Sequence, residues 1–372
     1  MIVIKIPLKG INQLKEILME KNLIKKDFKI KTKDGYGYVP VKKEINIDKN
    51  MDKIKEELNK GLKYDKITKK EIIDKIEKHS IEPNKINIFK YKKSPTNIKN
   101  TLKSNLGEKI NSNDLNNLKK SFDIIGDIVI LEIPEELKKY EKEIAKASLE
   151  FTKRKTAFVK RSGIKRQIRT RDLEFLAGEN NSKTIYKEHG MELSLDVKNV
   201  YFSPRLGNER LRIGKQVRNG EVILDMFAGI GPFSILIAKN KDVKIYATDI
   251  NEIAIEHMKE NIKLNKLKGE IYPILGDINE IAIEFKEKEM KFDRIIMNLP
   301  GSAIDFLPLA FDLIKNDGII NYYEFNENFK KGIENINKIA KKSNKTIKII
   351  NYRKVKSTSP GMWHIAFDIK II

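Results

Sequence analysis

Two rhythms of apolar and polar positions run along the chain, and the change between them divides it. Residues 1–90 read as a small α/β unit. IVIKI is a strand, INQLKEILMEKN has the spacing of an amphipathic helix, and FKIKTKDGYGYVPV is a hairpin turning at Asp34-Gly35. Two Lys-rich helical stretches (50–61 and 68–79) and a short strand, INIFKY, follow. The polar segment KKSPTNIKN at 92–100 reads as a linker. Residues 91–196 form a second α+β unit, with a strand pair around SFDIIGDIVILEIP, the helix PEELKKYEKEIAKASLEF, and several strands leading into SLDVKNVYF. From 197 to 372 strands and helices alternate. EVILDM, KIYATD, EIYPIL, FDRIIMN and GIINYYEF are strands, with helices after Pro232, from Glu252 and near 303–315. That alternation predicts βαβ units and a parallel sheet. TIKIINYRKV and MWHIAFDIKII close the chain as two more strands.

Composition narrows the function. Lys plus Arg is 74 and Asp plus Glu is 52, so the 372 residues carry a net charge of +22. The expected partner is a polyanion, nucleic acid first. Lys dominates, but nine of the 11 Arg lie between Arg154 and Arg218. Lys suffices for a diffuse positive field, whereas planar contact with phosphate or a base edge calls for Arg. Arg166, Arg171, Arg205 and Arg210 are therefore candidate RNA contacts, although each could equally form a surface ion pair. There is no Cys, which removes disulfides and thiolate metal sites. The four His lie far apart, so no metal site is expected. The longest apolar stretch, Met226 to Ala238, has 13 residues against the roughly 20 that span a membrane. With no signal-peptide pattern at MIVIKIPLKG, the expectation is a soluble cytoplasmic protein.

The candidate cofactor site follows the strand EVILDM. It ends at Asp225 and runs into Phe227, Gly229 and Gly231 before Pro232. A Gly-rich strand-to-helix turn lets a ligand approach the backbone. The third Gly of a dinucleotide fingerprint is replaced by Ser234. Asp225 can face a cationic amino-acid group, and a buried carboxylate would be unfavourable beside pyrophosphate. Asp249, 24 residues on, is placed to accept from ribose hydroxyls, and Asp277 lies where an adenine amino group would be. Together these favour S-adenosylmethionine over NAD. Each Asp taken alone could be an ordinary strand-end residue. At the end of the fourth strand stands Asn298-Leu299-Pro300, which can orient a planar nitrogen nucleophile or simply cap the next helix.

RTRDLEFLAGEN (residues 169–180, opening on Arg169), VYFSPRLGNERLR, DMFAGIGPFSI and MNLPGSAIDFL together resemble the archaeal and eukaryotic tRNA (guanine-N1) methyltransferase family acting at tRNA position 37. The resemblance covers nearly the whole chain and is weakest in the N-terminal unit. It implies a Rossmann-like class I methyltransferase domain at 197–372 behind two smaller α+β domains, 1–90 and 91–196, the first checking the outer corner of the tRNA. It also implies that the partner is tRNA with guanosine at position 37; a monomer is expected, and the sequence itself requires no metal. The cofactor it implies is S-adenosylmethionine, held by Asp225, Phe227, Gly229, Gly231, Asp249, Ile250, Asp277 and Asn298.

Neutral guanine N1 carries a proton, so its methylation needs a base, and charge then develops on O6. The resemblance puts the base at Glu209 and the O6 partner at Arg169, with Asn298 and the backbone at Pro300 holding the base edge. Burial raises the proton affinity of a carboxylate, and guanidinium donors stabilise an oxyanion. Tyr201 offers a ring for stacking. Arg205, Glu209 and Arg212 share a helical face, however, so Glu209 could equally be an ion-paired residue. Three rivals remain: another class I methyltransferase, an RNA-binding protein with a vestigial cofactor fold, and an NAD-dependent oxidoreductase. The intact Asp and Gly set disfavours the second, and Ser234 with Asp225 disfavours the third.

Overall fold

A computed structural model describes residues 2–21, 23–24, 30–42, 47–80, 101–102, 110, 112–118, 122–161 and 172–372. The chain forms two units, Met1–Ser104 and Asn105–Ile372. The expected strand INIFKY and the linker at 92–100 lie outside the described residues, as do Arg166, Arg169 and Arg171.

In the first unit, strands β1 (Ile2–Pro7), β2 (Lys31–Lys33), β3 (Tyr36–Pro40) and β4 (Glu77–Ser80) form a sheet in the order β2-β3-β1-β4. Every pairing is antiparallel, so the unit is α+β rather than α/β. The hairpin turns at Asp34 (φ 49°) and Gly35 (φ 78°), the two positive angles that a tight right-twisted hairpin requires. Helices α1 (Ile11–Glu20) and α2 (Ile47–Gly61) bring Leu14, Leu18, Ile54 and Leu58 to a core shared with Ile4, Ile6 and Val39. Helix α3 (Lys66–Asp74) starts where Asp65 accepts from the Thr68 amide at 2.9 Å. The helix expected over 68–79 stops at Asp74. Residues 77–80 pair with β1 instead, setting His79 opposite Val3 and Glu77 opposite Lys5. Strand pairing along a buried partner outweighs the helical spacing of a short polar segment.

The second unit opens with a short helix, α4 (Ser112–Asn117). A four-stranded sheet follows: β5 (Asp123–Ile125), β6 (Ile128–Leu131), β7 (Thr156–Lys160) and β8 (Leu173–Gly178), with α5 (Glu141–Thr152) crossing between β6 and β7. Next come the hairpin β9 (Lys183–Glu188) and β10 (Met191–Asp196), then helix α6 (Gly207–Gln216). The rest alternates β11 (Val222–Asp225), α7 (Pro232–Asn240), β12 (Lys244–Asp249), α8 (Glu252–Leu264), β13 (Glu270–Leu275), α9 (Ile278–Glu287), β14 (Phe292–Met297), α10 (Leu307–Leu313), β15 (Ile314–Asn326), α11 (Phe329–Lys342), β16 (Ile347–Ser359) and β17 (Met362–Ile371). Helices α9 and α11 stand where the apolar pattern alone names no element.

These last strands build one seven-stranded sheet in the order β13-β12-β11-β14-β15-β17-β16. The first five and the edge strand β16 all point the same way and β17 alone, inserted between β15 and β16, runs antiparallel, the arrangement expected of a Rossmann-like methyltransferase domain. From β11 the chain moves one way to β12 and β13, then returns to the other side for β14 and β15. Such a reversal opens a crevice at the carboxyl ends of β11 and β14.

The β9–β10 hairpin docks on α8. Asn261, fully buried, accepts from the Ser194 amide at 2.6 Å and donates to the Ser194 and Ile230 carbonyls at 3.2 and 3.0 Å. Asn265 does the same one turn later with the Glu192 backbone. Beneath them one apolar cluster runs from Ile128 and Phe158 through Met191, Leu193 and Leu195 to Ile235. The hairpin therefore goes with the catalytic sheet. Replacing Asn261 by Ala strands three buried backbone groups, each worth about 1 kcal/mol or more. We expect Asn261→Ala to lose about 2–4 kcal/mol in urea unfolding of the full chain. An unchanged midpoint would show that the hairpin is held by its apolar face alone.

Candidate active site

The turn after β11 is stapled to its neighbours by backbone bonds. The Met226 amide donates to Ile296 at 3.0 Å, the Ala228 amide to Thr248 at 2.9 Å, and the Gly229 amide to Asp249 Oδ2 at 2.7 Å. Gly229 and Gly231 have φ of 57° and 78°. A Cβ on Gly231 would stand 2.8 Å from Met258 Cγ, so both angle and space demand glycine there. Pro232 then occupies the first turn of α7, where its missing N–H costs nothing.

A cavity of about 610 Å³ opens at this crevice. Phe227, Gly229, Asp249, Ile250 and Asp277 line it after β11, β12 and β13, and Asn298, Leu299 and Phe325 line it at β14 and β15, while the Tyr201 carbonyl lies beside Gly229. Asp249 already accepts from Gly229 and from the Asn251 amide at 2.9 Å, and Asp277 caps α9 by accepting from Asn279 at 2.8 Å. Each carboxylate oxygen has further lone pairs, so capping and ligand contact are compatible.

Asp225 is 1% exposed and does not line the cavity. Its Oδ2 accepts from Ser234 at 2.8 Å, whereas Oδ1 is buried without a hydrogen-bond partner. Burial pushes its pKa up to about 7; the Ser234 bond opposes this and the nearby Asp249 charge adds to it.

Helix α6 carries a buried charge network. Glu209, 2% exposed, accepts from Arg212 at 2.7 Å and from the Tyr323 hydroxyl at 2.9 Å, both on Oε1. Its Oε2 has no hydrogen bond; Arg353 stands 3.8 Å away. Arg212 also grips Asp368, which accepts from Gln216 and Asn321 as well. Burial works against the Asp368 charge, but these donors hold it below the ordinary carboxylate range. Burial and then the Glu209 charge push Tyr323 well above the usual phenol range, so it stays a donor.

Similarity to known proteins agrees with this geometry. Residues 184–350 match the TRM5/TYW2 methyltransferase domain, residues 4–49 the tRNA methyltransferase 5 N-terminal domain, and residues 102–181 the TYW2 N-terminal domain. The tRNA (guanine(37)-N(1))-methyltransferase Trm5b of Methanocaldococcus jannaschii is 38% identical over 375 residues, covering 99% of this chain and 98% of its own. The enzyme of the same name from Pyrococcus abyssi is 44% identical over 258 residues, 68% of this chain and 76% of its own. The solved complex of aTrm5 with tRNALeu superposes with a TM-score of 0.69 at 37% identity over the full length of both chains. The chain belongs to the TRM5/TYW2 methyltransferase family. The family resemblance read from the sequence is borne out, and with it the Rossmann-like fold.

Within this TRM5/TYW2 chain the structure gathers Phe227, Gly229, Asp249, Ile250, Asp277, Asn298, Tyr201 and Arg210 at the cavity, while Asp225, Gly231, Pro300, Arg205 and Glu209 are not in its wall. The Pro300 carbonyl accepts from the Phe325 amide at 3.0 Å. Arg210 needs correction as an RNA contact. It is 1% exposed and its guanidinium is bound two-pronged to Glu188 at 2.5 and 2.8 Å, because a buried cation must be paired. Arg205 is exposed but paired with Asp123 at 2.8 Å. Phe325, Tyr323 and Asp368 are missed by motif reading, since they sit in strands whose continuous apolar run hides which face is which. Among the described residues no cluster of His, Asp or Glu suits a metal, and no helix is long and apolar enough to cross a membrane.

The raised Asp225 value has a consequence for stability. Between about pH 4 and 7 the unfolded chain holds fewer protons on this group than the folded one, so stability falls as pH rises through that window. We expect Asp225→Asn to gain on the wild type by about 2 kcal/mol from pH 5 to 7 and to run parallel above about pH 8. Urea unfolding across this range checks it; curves parallel throughout would remove the buried neutral acid.

Proposed function

We propose that this chain transfers a methyl group from S-adenosylmethionine to N1 of guanosine 37 in tRNA. The observation that carries the proposal is a single cavity with two sides. Gly229 and carboxylates suited to S-adenosylmethionine stand on the β11–β13 side, and Asn298 and Leu299 on the β14 side. Near-full-length likeness to Trm5b enzymes supports the same reading.

The residues fit the cofactor on structural grounds: Gly229, at positive φ, and the carboxylates of Asp249 and Asp277 line the cavity. When bound, S-adenosylmethionine supplies an electrophilic methyl on a sulfonium. In the proposed mechanism Glu209 Oε2 accepts the guanine N1 proton. Its other oxygen is committed to Arg212 and Tyr323, which fixes the carboxylate and leaves Oε2 as the acceptor. Asn298 and the Leu299-Pro300 backbone orient the base edge. Arg169, outside the described residues, takes the role of O6 partner, with Arg166 and Arg171 beside it on phosphate. Tyr201 stacks against the extruded base, whose removal from the anticodon loop costs about a few kcal/mol.

We further propose a division of labour. Residues 1–90 check the tRNA body, 91–196 bridge, and 197–372 catalyse, the β9–β10 hairpin going with the catalytic part. The working form is a monomer in the cytoplasm, and the reading assigns no metal.

The test uses labelled S-adenosylmethionine and two unmodified transcripts, one with guanosine and its twin with adenosine at position 37. N1-methylguanosine from the first alone is the expected product, identified by mass spectrometry after digestion. Label in both moves the target elsewhere. In the same assay Glu209→Gln is expected to leave tRNA and cofactor affinity near wild type and slow single-turnover transfer by about 100-fold or more. A near-normal rate would remove Glu209 as the base.

A further inference from the structure

Among the described residues, two large apolar side chains both line the cavity and stand exposed: Ile250 at 44% and Phe325 at 38%. Burial of such side chains is favourable, so exposure inside a concave site marks a surface that awaits a ligand. Ile250 follows Asp249 on the cofactor side. Phe325 has no role in the reading above.

Its position assigns one. Phe325 ends β15, and β12 and β15 are separated by β11 and β14. Three strand spacings of about 4.8 Å put Phe325 some 14 Å from the end of β12, well past the ribose-binding Asp249. It is also locked to the other side of the cavity. Its amide donates to the Pro300 carbonyl at 3.0 Å, so the ring is carried by the strand that braces the Asn298-Leu299-Pro300 turn. On its inner side His364 meets the ring edge-on, with centroids 5.5 Å apart and planes at 67°. Buried His364 thus fixes one edge of the ring from the neighbouring strand β17.

An exposed ring beside a polar turn suited to a base edge has the chemistry of a stacking platform. Every base has a π face, and base–aromatic stacking contributes about 1–3 kcal/mol when probed by alanine substitution. We infer that Phe325 stacks on the target guanine once it has left the anticodon loop, and so holds N1 in register with Asn298. The inference rests on the proposed function and deepens it. Tyr201, whose carbonyl lies beside Gly229 in the same cavity, reaches the base from another element.

Full-length wild type, Phe325→Leu and Phe325→Tyr test this. Leu keeps the apolar bulk without a π face; Tyr keeps the ring. Because the tRNA body supplies most of the affinity, loss of stacking lowers the fraction of tRNA with its base seated. For Phe325→Leu the single-turnover rate at saturating enzyme should fall roughly tenfold. Affinities for tRNA and for S-adenosylmethionine should stay within about threefold, and Phe325→Tyr should restore the rate. A Leu variant at wild-type rate, with guanosine 37 methylated normally, overturns the inference and leaves the proposed function standing. Loss of cofactor affinity in Phe325→Leu also overturns it, by assigning the ring to the cofactor. A wild type that fails to methylate guanosine 37 removes the proposed function and this role with it.

Discussion

The turn that leaves β11 is the constraint on which the site depends. A parallel strand must hand its chain to a helix on the sheet face within a few residues, and here it does so through Gly229 and Gly231 at positive φ. Gly231 has no room for a Cβ against Met258. The same turn gives its Gly229 amide to Asp249. One hydrogen bond thus ties the turn to the end of β12 and orients the carboxylate at the cavity wall. The reversal of strand order around β11 opens the crevice, and the glycines let a ligand reach its backbone.

The buried network on helix α6, outside the cavity wall, depends on a different balance. Burying carboxylates is expensive unless every lone pair finds a donor. Arg212 bridges Glu209 and Asp368, and Tyr323, Asn321 and Gln216 complete the set. The network pins helix α6 to β15 and β17 with one oxygen left over, Glu209 Oε2. A buried carboxylate oxygen without a hydrogen bond, with the Arg353 guanidinium 3.8 Å away, is a place where stability has been given up, and such places are characteristically functional.

The middle of the chain shows how a fold recruits a segment across an apparent boundary. Sequence pattern puts the β9–β10 strands with the preceding unit, because all of them are short strands with similar spacing. Two Asn side chains on one face of α8, four residues apart, dock the hairpin on the catalytic sheet instead. An Asn amide can both donate to and accept from a backbone, so two of them stand in for part of a missing neighbouring strand.

The sequence by itself determined the strands of the large sheet, the Asp34-Gly35 hairpin and the cofactor turn. Period-two and period-3.6 spacing, Asp34-Gly35, and the Gly229–Pro232 turn are local signals, each forced by backbone sterics within a few residues. Asp249 and Asp277 were legible because strand ends of a parallel sheet are ligand positions by topology. Tertiary structure alone decided which charges are free. Arg210 and Arg205 look alike in sequence, yet one is sealed against Glu188 and the other stands in solvent beside Asp123. It also decided that 77–80 is a strand, since β1 offers a ladder that no local pattern announces. Phe325 and Tyr323 lie two apart in one apolar run, but the strand end exposes the first to the cavity and buries the second against Glu209. Pairing, burial and cavity position arise from contacts between residues far apart in the chain, and spacing along a sequence carries no measure of them.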